Sequence, residues 1–111
     1  MTEIRRMLKI NYFKQGIYQG YLNEDGQRDG KGSFLWDTGE MYVGEWKHDK
    51  MNGEGIFCFA NSGFMFGFFA DNNFNGAFYI NVKNGNRFIG KYRNGKFHGK
   101  WLKYNKRILK W

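Results

Sequence analysis

The chain has 111 residues, of which 21% are aromatic, 16 are glycine and none is proline, with a formal net charge of +8. That length makes one small domain, so the rings must supply much of the burial. No run of about eighteen apolar residues offers a spanning helix, so an integral membrane protein is not expected. The single cysteine, Cys58, excludes an internal disulfide and points to a reducing, intracellular setting.

Residues 1–14 read as an N-terminal cap segment. Its opening "MTEIRRMLKI" carries Arg5, Arg6 and Lys9, but Glu3 interrupts the cations and no apolar core follows, which argues against a secretory signal. Ile10, Tyr12 and Phe13 form a half-repeat expected to cover one end of the fold, because Phe13 precedes Trp36 by 23 residues.

From residue 15 to 106 the chain is periodic. Gly30, Gly53, Gly76 and Gly99 stand 23 residues apart, and Gly20, Gly44, Gly67 and Gly90 follow the same spacing with one extra residue early on. Tyr18, Tyr42, Met65 and Phe88 lie two residues before the second set, and Leu22, Trp46, Phe69 and Tyr92 two after it. Large, glycine, large on alternate positions is the signature of one strand face on which rings fold over bare backbone. The second half of each unit reads "RDGKGSFLW", "MNGEGIFCF", "FNGAFYINV" and "FHGKWLKYN". Asp29, Asn52, Asn75 and His98 precede its glycine, and such residues favour a turn before the second strand. Four hairpins in register predict an all-β fold: a single-layer twisted antiparallel meander of about eight strands.

The segment "GEMYVGEWKHDKMNGEGIF" resembles a MORN repeat, an aromatic, a glycine and an aromatic on alternate positions followed by G-x-G. Tyr42, Gly44, Trp46, Gly53 and Gly55 all match; Tyr18, Gly20, Gly30 and Gly32 match in the first unit, and Phe88, Gly90, Tyr92 and Gly99 in the fourth. Leu22 and Met65 replace aromatics, and Phe78 and Trp101 stand where the second glycine of G-x-G belongs, so those units are expected to pack differently. The resemblance implies a MORN-repeat solenoid. It also implies a scaffold of cytoskeletal, ciliary or membrane-junction assemblies; some such proteins associate with acidic phospholipids, and others are attached to enzyme domains, for which this chain has no counterpart.

No constellation of side chains predicts catalysis, a cofactor or a metal. His48, His98 and Cys58 have no paired spacing. The "GKG" and "GEG" triplets run into apolar strands, whereas a phosphate cradle needs a helix N-terminus. Glu24, Asp25 and Asp29, like Asp37 and Glu40, sit in polar loops where solvated carboxylates are expected.

Charge is uneven. Residues 1–82 hold eight Lys/Arg against ten Asp/Glu, whereas residues 83–111 hold ten Lys/Arg and no acid. Arg87, Lys91 and Arg93 alternate with Phe88, Gly90 and Tyr92, which puts the cations on the face opposite the rings. The final stretch "WLKYNKRILKW" requires a strand near 100–104 by register; wound as a helix it segregates Trp101, Ile108, Leu109 and Trp111 from Lys106, Arg107 and Lys110. A last strand followed by a short helical segment is predicted, with 107–111 as a basic, aromatic tail.

The expectation is a non-enzymatic adaptor in a larger intracellular assembly, cytoskeletal or ciliary by the resemblance, meeting protein partners of acidic surface. Its contacts would be the aromatic-rich face, the cations Arg87, Lys91, Arg93, Lys106, Arg107 and Lys110, and the apolar Trp101, Ile108, Leu109 and Trp111. Two alternatives stay open: a peripheral membrane module binding anionic phospholipid through the basic repeat, and an architectural subunit of an organellar complex, with a mitochondrial address. Nucleic acid ranks lowest, since a stacking reader needs exposed rings and these are required for packing.

Overall fold

The computed structural model describes residues 6–82 and 85–104, the last six of these in their backbone only. Nine strands form one sheet in strict chain order: β1 (Leu8–Tyr12), β2 (Gly16–Leu22), β3 (Arg28–Trp36), β4 (Met41–Lys47), β5 (Lys50–Cys58), β6 (Gly63–Ala70), β7 (Asn73–Val82), β8 (Arg87–Arg93) and β9 (Lys96–Tyr104). Every neighbouring pair is antiparallel. The predicted meander is the observed one, extended at the N-terminus by β1. The helical segment proposed after the last strand lies outside the described residues.

Turn positions differ from expectation. Asp29, Asn52, Asn75 and His98 lie inside β3, β5, β7 and β9. The tight turns come earlier, at His48–Asp49, Asp71–Asn72 and Asn94–Gly95, all with positive φ. Two successive left-handed residues between Lys47↔Lys50, Ala70↔Asn73 and Arg93↔Lys96 make a type I′ hairpin, whose twist matches that of the strands. Asp and Asn tolerate that conformation, while His48 adopts it inside a hairpin whose other residues are already paired. In the first unit the loop is longer, spans Asn23–Gln27, and is held by the Asn23 carboxamide oxygen, which accepts from the N–H groups of Asp25 and Gln27.

The two glycine series do different work. Gly30, Gly53 and Gly76 take φ of +87°, +108° and +92°, and Gly53 lies where the β4–β5 register shifts between Gly44 and Trp46. Three residues of β5 there oppose Glu45 alone, and the Glu45 carboxylate accepts the Glu54 N–H at 2.7 Å. The Asn or Asp before these glycines therefore signals a bulge rather than a turn.

The other series forms a row across the sheet with Gly32 and Gly55, the second glycines of G-x-G: Gly20↔Gly32, Gly32↔Gly44, Gly44↔Gly55, Gly55↔Gly67. A Cβ on Gly32 would stand 2.5 Å from the Tyr18 hydroxyl oxygen, and one on Gly55 would overlap the Tyr42 ring. The rings lie on bare backbone, as the alternation predicts. Each phenol reaches a carbonyl opposite its bulge: Tyr18 donates to Tyr21 at 2.7 Å and Tyr42 to Glu45 at 2.9 Å. Trp46 donates its Nε1–H to the Gly32 carbonyl at 3.0 Å.

Among the described residues the buried hydrophobic side chains, Tyr18, Phe34, Tyr42, Trp46, Met65, Phe69, Phe78 and Ile80, all belong to this ring face. No second layer among the described residues covers them. They bury one another through edge-to-face contacts such as Tyr42–Trp46 at 5.2 Å and Tyr42–Phe69 at 5.0 Å, each worth about 0.5–1.5 kcal/mol beyond its area. The third unit shows how the pattern survives its departures. Phe78, paired with Gly67, occupies the space over that glycine that a ring at position 65 would otherwise fill, and Met65 packs beside it. Of the three residues expected to form the N-terminal half-repeat, Tyr12 packs on Phe34 at 5.7 Å, whereas Phe13 stands in the turn after β1, 82% exposed.

Neighbouring hairpins are clipped together at the same spacing. The Asp49 N–H donates to the Arg28 carbonyl at 3.0 Å, Asn72 to Met51 at 3.0 Å and Gly95 to Phe74 at 2.8 Å. In return, the Asp49 carboxylate accepts the Arg28 N–H at 2.7 Å, and the Asn72 carboxamide oxygen accepts the Met51 N–H at 2.8 Å. Asp49 also pairs with the Arg28 guanidinium at 3.1 Å, which lies over Trp46, Tyr12 and Phe34 at 4.7, 5.2 and 5.3 Å. Asp49→Asn should cost less than about 1 kcal/mol, because it keeps the acceptor and the left-handed turn and loses only a partly exposed ion pair. Asp49→Ala should cost about 2 kcal/mol, losing the backbone clip and straining the turn. Urea unfolding of both variants checks the order; equal losses would show that charge, not the clip, holds the hairpins.

Candidate interaction surface

Because side chains alternate, the residues between the rings and glycines form the opposite face. Two rows cross it. One runs Val43–Ile56–Phe66–Tyr79–Ile89 and the other Leu35–Met41–Cys58–Phe64, each residue the cross-strand partner of the next. Leu35, Val43, Ile56, Phe66 and Ile89 are exposed, and Phe68, next to this surface on β6, is 55% exposed. Among the described residues, most of the exposed large hydrophobic side chains lie on this face. The aromatic-rich face, expected to be a contact surface, is the core instead, with Tyr18 and Tyr42 fully buried. Rings stacked over glycine close that face upon itself, leaving the aliphatic and phenylalanine rows outside.

Sequence reasoning missed Val43, Ile56, Phe66 and Phe68 because attention to the glycine register favours one face. The signal was present in "GFMFGFF", where uninterrupted apolar residues mark a strand that is apolar on both sides.

The basic residues fall where alternation placed them. Lys91 and Arg93 are exposed beside Ile89, on the face opposite Phe88 and Tyr92. Arg87 is half-buried, and its Nε is buried without a hydrogen-bond partner. Trp101 lies in β9 by its backbone, whereas Lys106, Arg107, Lys110, Ile108, Leu109 and Trp111 lie outside the described residues. Toward the other end of the outer face, Glu45 and Glu54 line a shallow groove of about 330 Å³ with Met7, Gln19, Lys31 and Val43. The outer face thus carries Glu45 and Glu54 with Lys31 and Lys47 beside them on β3 to β5, and Lys91 and Arg93 on β8, with an apolar band between.

The titratable candidates stay apart. His48 occupies a turn, its Nδ1 3.4 Å from the Gln27 carboxamide oxygen; His98 sits in β9 opposite Lys91 rather than at a turn; Cys58 is half-buried between Met41 and Phe64. Among the described residues no three His, Cys, Asp or Glu groups converge as metal ligands.

Burial raises the Tyr42 phenol well above its usual range, against the lowering effect of its bond to the Glu45 carbonyl, and burial raises Tyr92 in the same direction. A native phenol that resists ionisation binds more protons than the unfolded one. Its stabilising effect is therefore complete below the ordinary tyrosine value of about 10 and declines as pH rises beyond it. Unfolding free energy should fall as pH rises above about 10, and Tyr42→Phe should flatten that fall while costing about 1 kcal/mol at neutral pH. An unchanged alkaline slope in Tyr42→Phe would place the effect elsewhere.

The repeats, their glycine row and their bulges now bear on kinship. The family model of the MORN repeat matches residues 24–41, 42–64 and 88–100. The chain belongs to the MORN-repeat family. The matched segments leave out 65–87, the unit in which Met65 and Phe78 exchange the places of ring and glycine. A probable serine/threonine-protein kinase of Dictyostelium discoideum is 45% identical over 40 residues, which is 36% of this chain. The matched stretch is 2% of that protein's length, so the likeness is confined to a short segment. MORN repeats commonly serve as modules for interaction with proteins or membranes, and the uncovered face gives this chain the surface for such a role.

Proposed function

We propose that this MORN-repeat chain is an adaptor within a larger intracellular assembly, cytoskeletal or ciliary in setting, that contributes binding surface rather than chemistry. One observation carries this reading: an open sheet exposes contiguous apolar rows on its outer face, with Lys91 and Arg93 beside them. Apolar patches of this kind mark interaction sites, and the cations favour a partner of acidic surface. The basic end also supports a second reading, a peripheral membrane module, since Ile89 beside Lys91 and Arg93 combines apolar insertion with attraction to anionic headgroups.

Affinity purification at endogenous expression tests the first reading directly. A stable set of partners should co-purify, survive competition by anionic vesicles, and be lost on replacing Trp101, Ile108, Leu109 and Trp111 by alanine, because interface cores carry most binding energy. Under the second reading, vesicle binding dominates, weakens as salt rises, and disappears when Arg87, Lys91, Arg93, Lys106, Arg107 and Lys110 become glutamine. Salt-sensitive vesicle binding with no stable protein partner would replace the adaptor by the membrane module.

A further inference from the structure

We infer that the outer face pairs with the same face of a second copy of this chain, forming a two-layer homodimer. The inference rests on reading the outer face as an interaction surface and names one occupant for it. Its basis is the order of chemistry across the sheet. Glu54 on β5 and Lys91 on β8 flank Phe68 on β6 and Ala77 on β7; Glu54 pairs across strands with Phe68, and Ala77 with Lys91. In the adjacent row Ile56, Phe66, Tyr79 and Ile89 occupy the same four strands.

A two-fold axis parallel to the strands, between β6 and β7, inverts this order. It sets Glu54 against the second copy's Lys91, and Lys91 against the second copy's Glu54. In the same operation the protruding Phe68 meets the small, exposed Ala77, Phe66 meets Tyr79, and Ile56 meets Ile89. Every contact occurs twice, as an isologous interface requires. Within one copy Glu54 and Lys91 are three strand spacings apart, roughly 14 Å, and do not reach one another. Aligned face-to-face packing about 10 Å apart suits two twisted sheets of equal hand.

Sedimentation equilibrium of the full chain, from low micromolar to several hundred micromolar, tests the pairing. The wild-type chain should pass from monomer to dimer. Phe68→Asp should remain monomeric throughout while keeping its strand circular dichroism and melting temperature. Glu54→Lys and Lys91→Glu should each weaken dimerisation about tenfold or more, which corresponds to about 1.4 kcal/mol. The double variant should return to within about threefold of wild type, because like-charge contacts in each single variant become opposite again. A chain monomeric at every concentration overturns the proposal, as does a dimer that tolerates Phe68→Asp or a charge swap without recovery. Should Phe68→Asp fail to fold, the swap at two exposed positions decides alone. A monomer that still captures its partners would leave the adaptor reading standing, whereas a dimer without partners would remove that reading and keep the pairing.

Discussion

Gly44→Val should lower the unfolding free energy by about 3 kcal/mol, the upper end for overpacking, and the melting temperature by roughly 10–15 °C. A Cβ at Gly44 would stand 2.6 Å from the Tyr42 hydroxyl oxygen, the Gly55 Cα and the Glu54 carbonyl oxygen. Two of these are backbone atoms of the neighbouring strand, so the side chain cannot be accommodated by moving one ring. Either β4 and β5 separate, breaking ladder hydrogen bonds, or Tyr42 leaves the core and its phenol loses the Glu45 carbonyl. Gly26→Asn makes the control. Gly26 has φ +77° with nothing within 4 Å of a Cβ, so an asparagine there keeps the turn at a cost below about 1 kcal/mol. Thermal melts of both variants check the contrast, and an unchanged melting temperature for Gly44→Val would show that the rings do not need bare backbone.

Phe78→Gly is expected to be the most damaging single change, by about 3–5 kcal/mol. Phe78 is 1% exposed and makes edge contacts with Phe69 at 5.4 Å, Phe74 at 5.2 Å and Tyr92 at 5.5 Å, joining the third unit to the fourth. The loss should be largely recovered by adding Met65→Tyr. A tyrosine at 65, two residues before Gly67, lies where Tyr42 lies before Gly44, and its ring would cover Gly67 and a glycine at 78 as Tyr42 covers Gly44 and Gly55. Met65→Tyr alone should destabilise, since its ring and Phe78 compete for one space. The double-mutant cycle should therefore give a favourable coupling of about 2–3 kcal/mol, and additive losses would refute the exchange of ring and glycine.

Much of this protein follows from local demands. A glycine two residues from a ring on each side states which side chains share a face and that the backbone there must be bare, so the 23-residue register, the row of glycines and the company of Tyr18, Tyr42, Trp46 and Phe69 were legible in the chain. The placement of Lys91 and Arg93 opposite the rings was legible for the same reason, since alternation is a property of every strand. Three matters were settled only by neighbours distant in sequence. Asn52 before Gly53 has the composition of a turn, but the turn forms at His48–Asp49 because Asp49 can there accept the Arg28 N–H of the preceding hairpin. Phe78 looks like a broken motif until Gly67 lies beside it across the ladder. In β6 both faces are apolar, so the strand does not state which one turns inward. The sheet closes around the side where rings meet glycine, because only there can side chains lie flat against backbone and against each other. That choice leaves Phe66 and Phe68 facing outward.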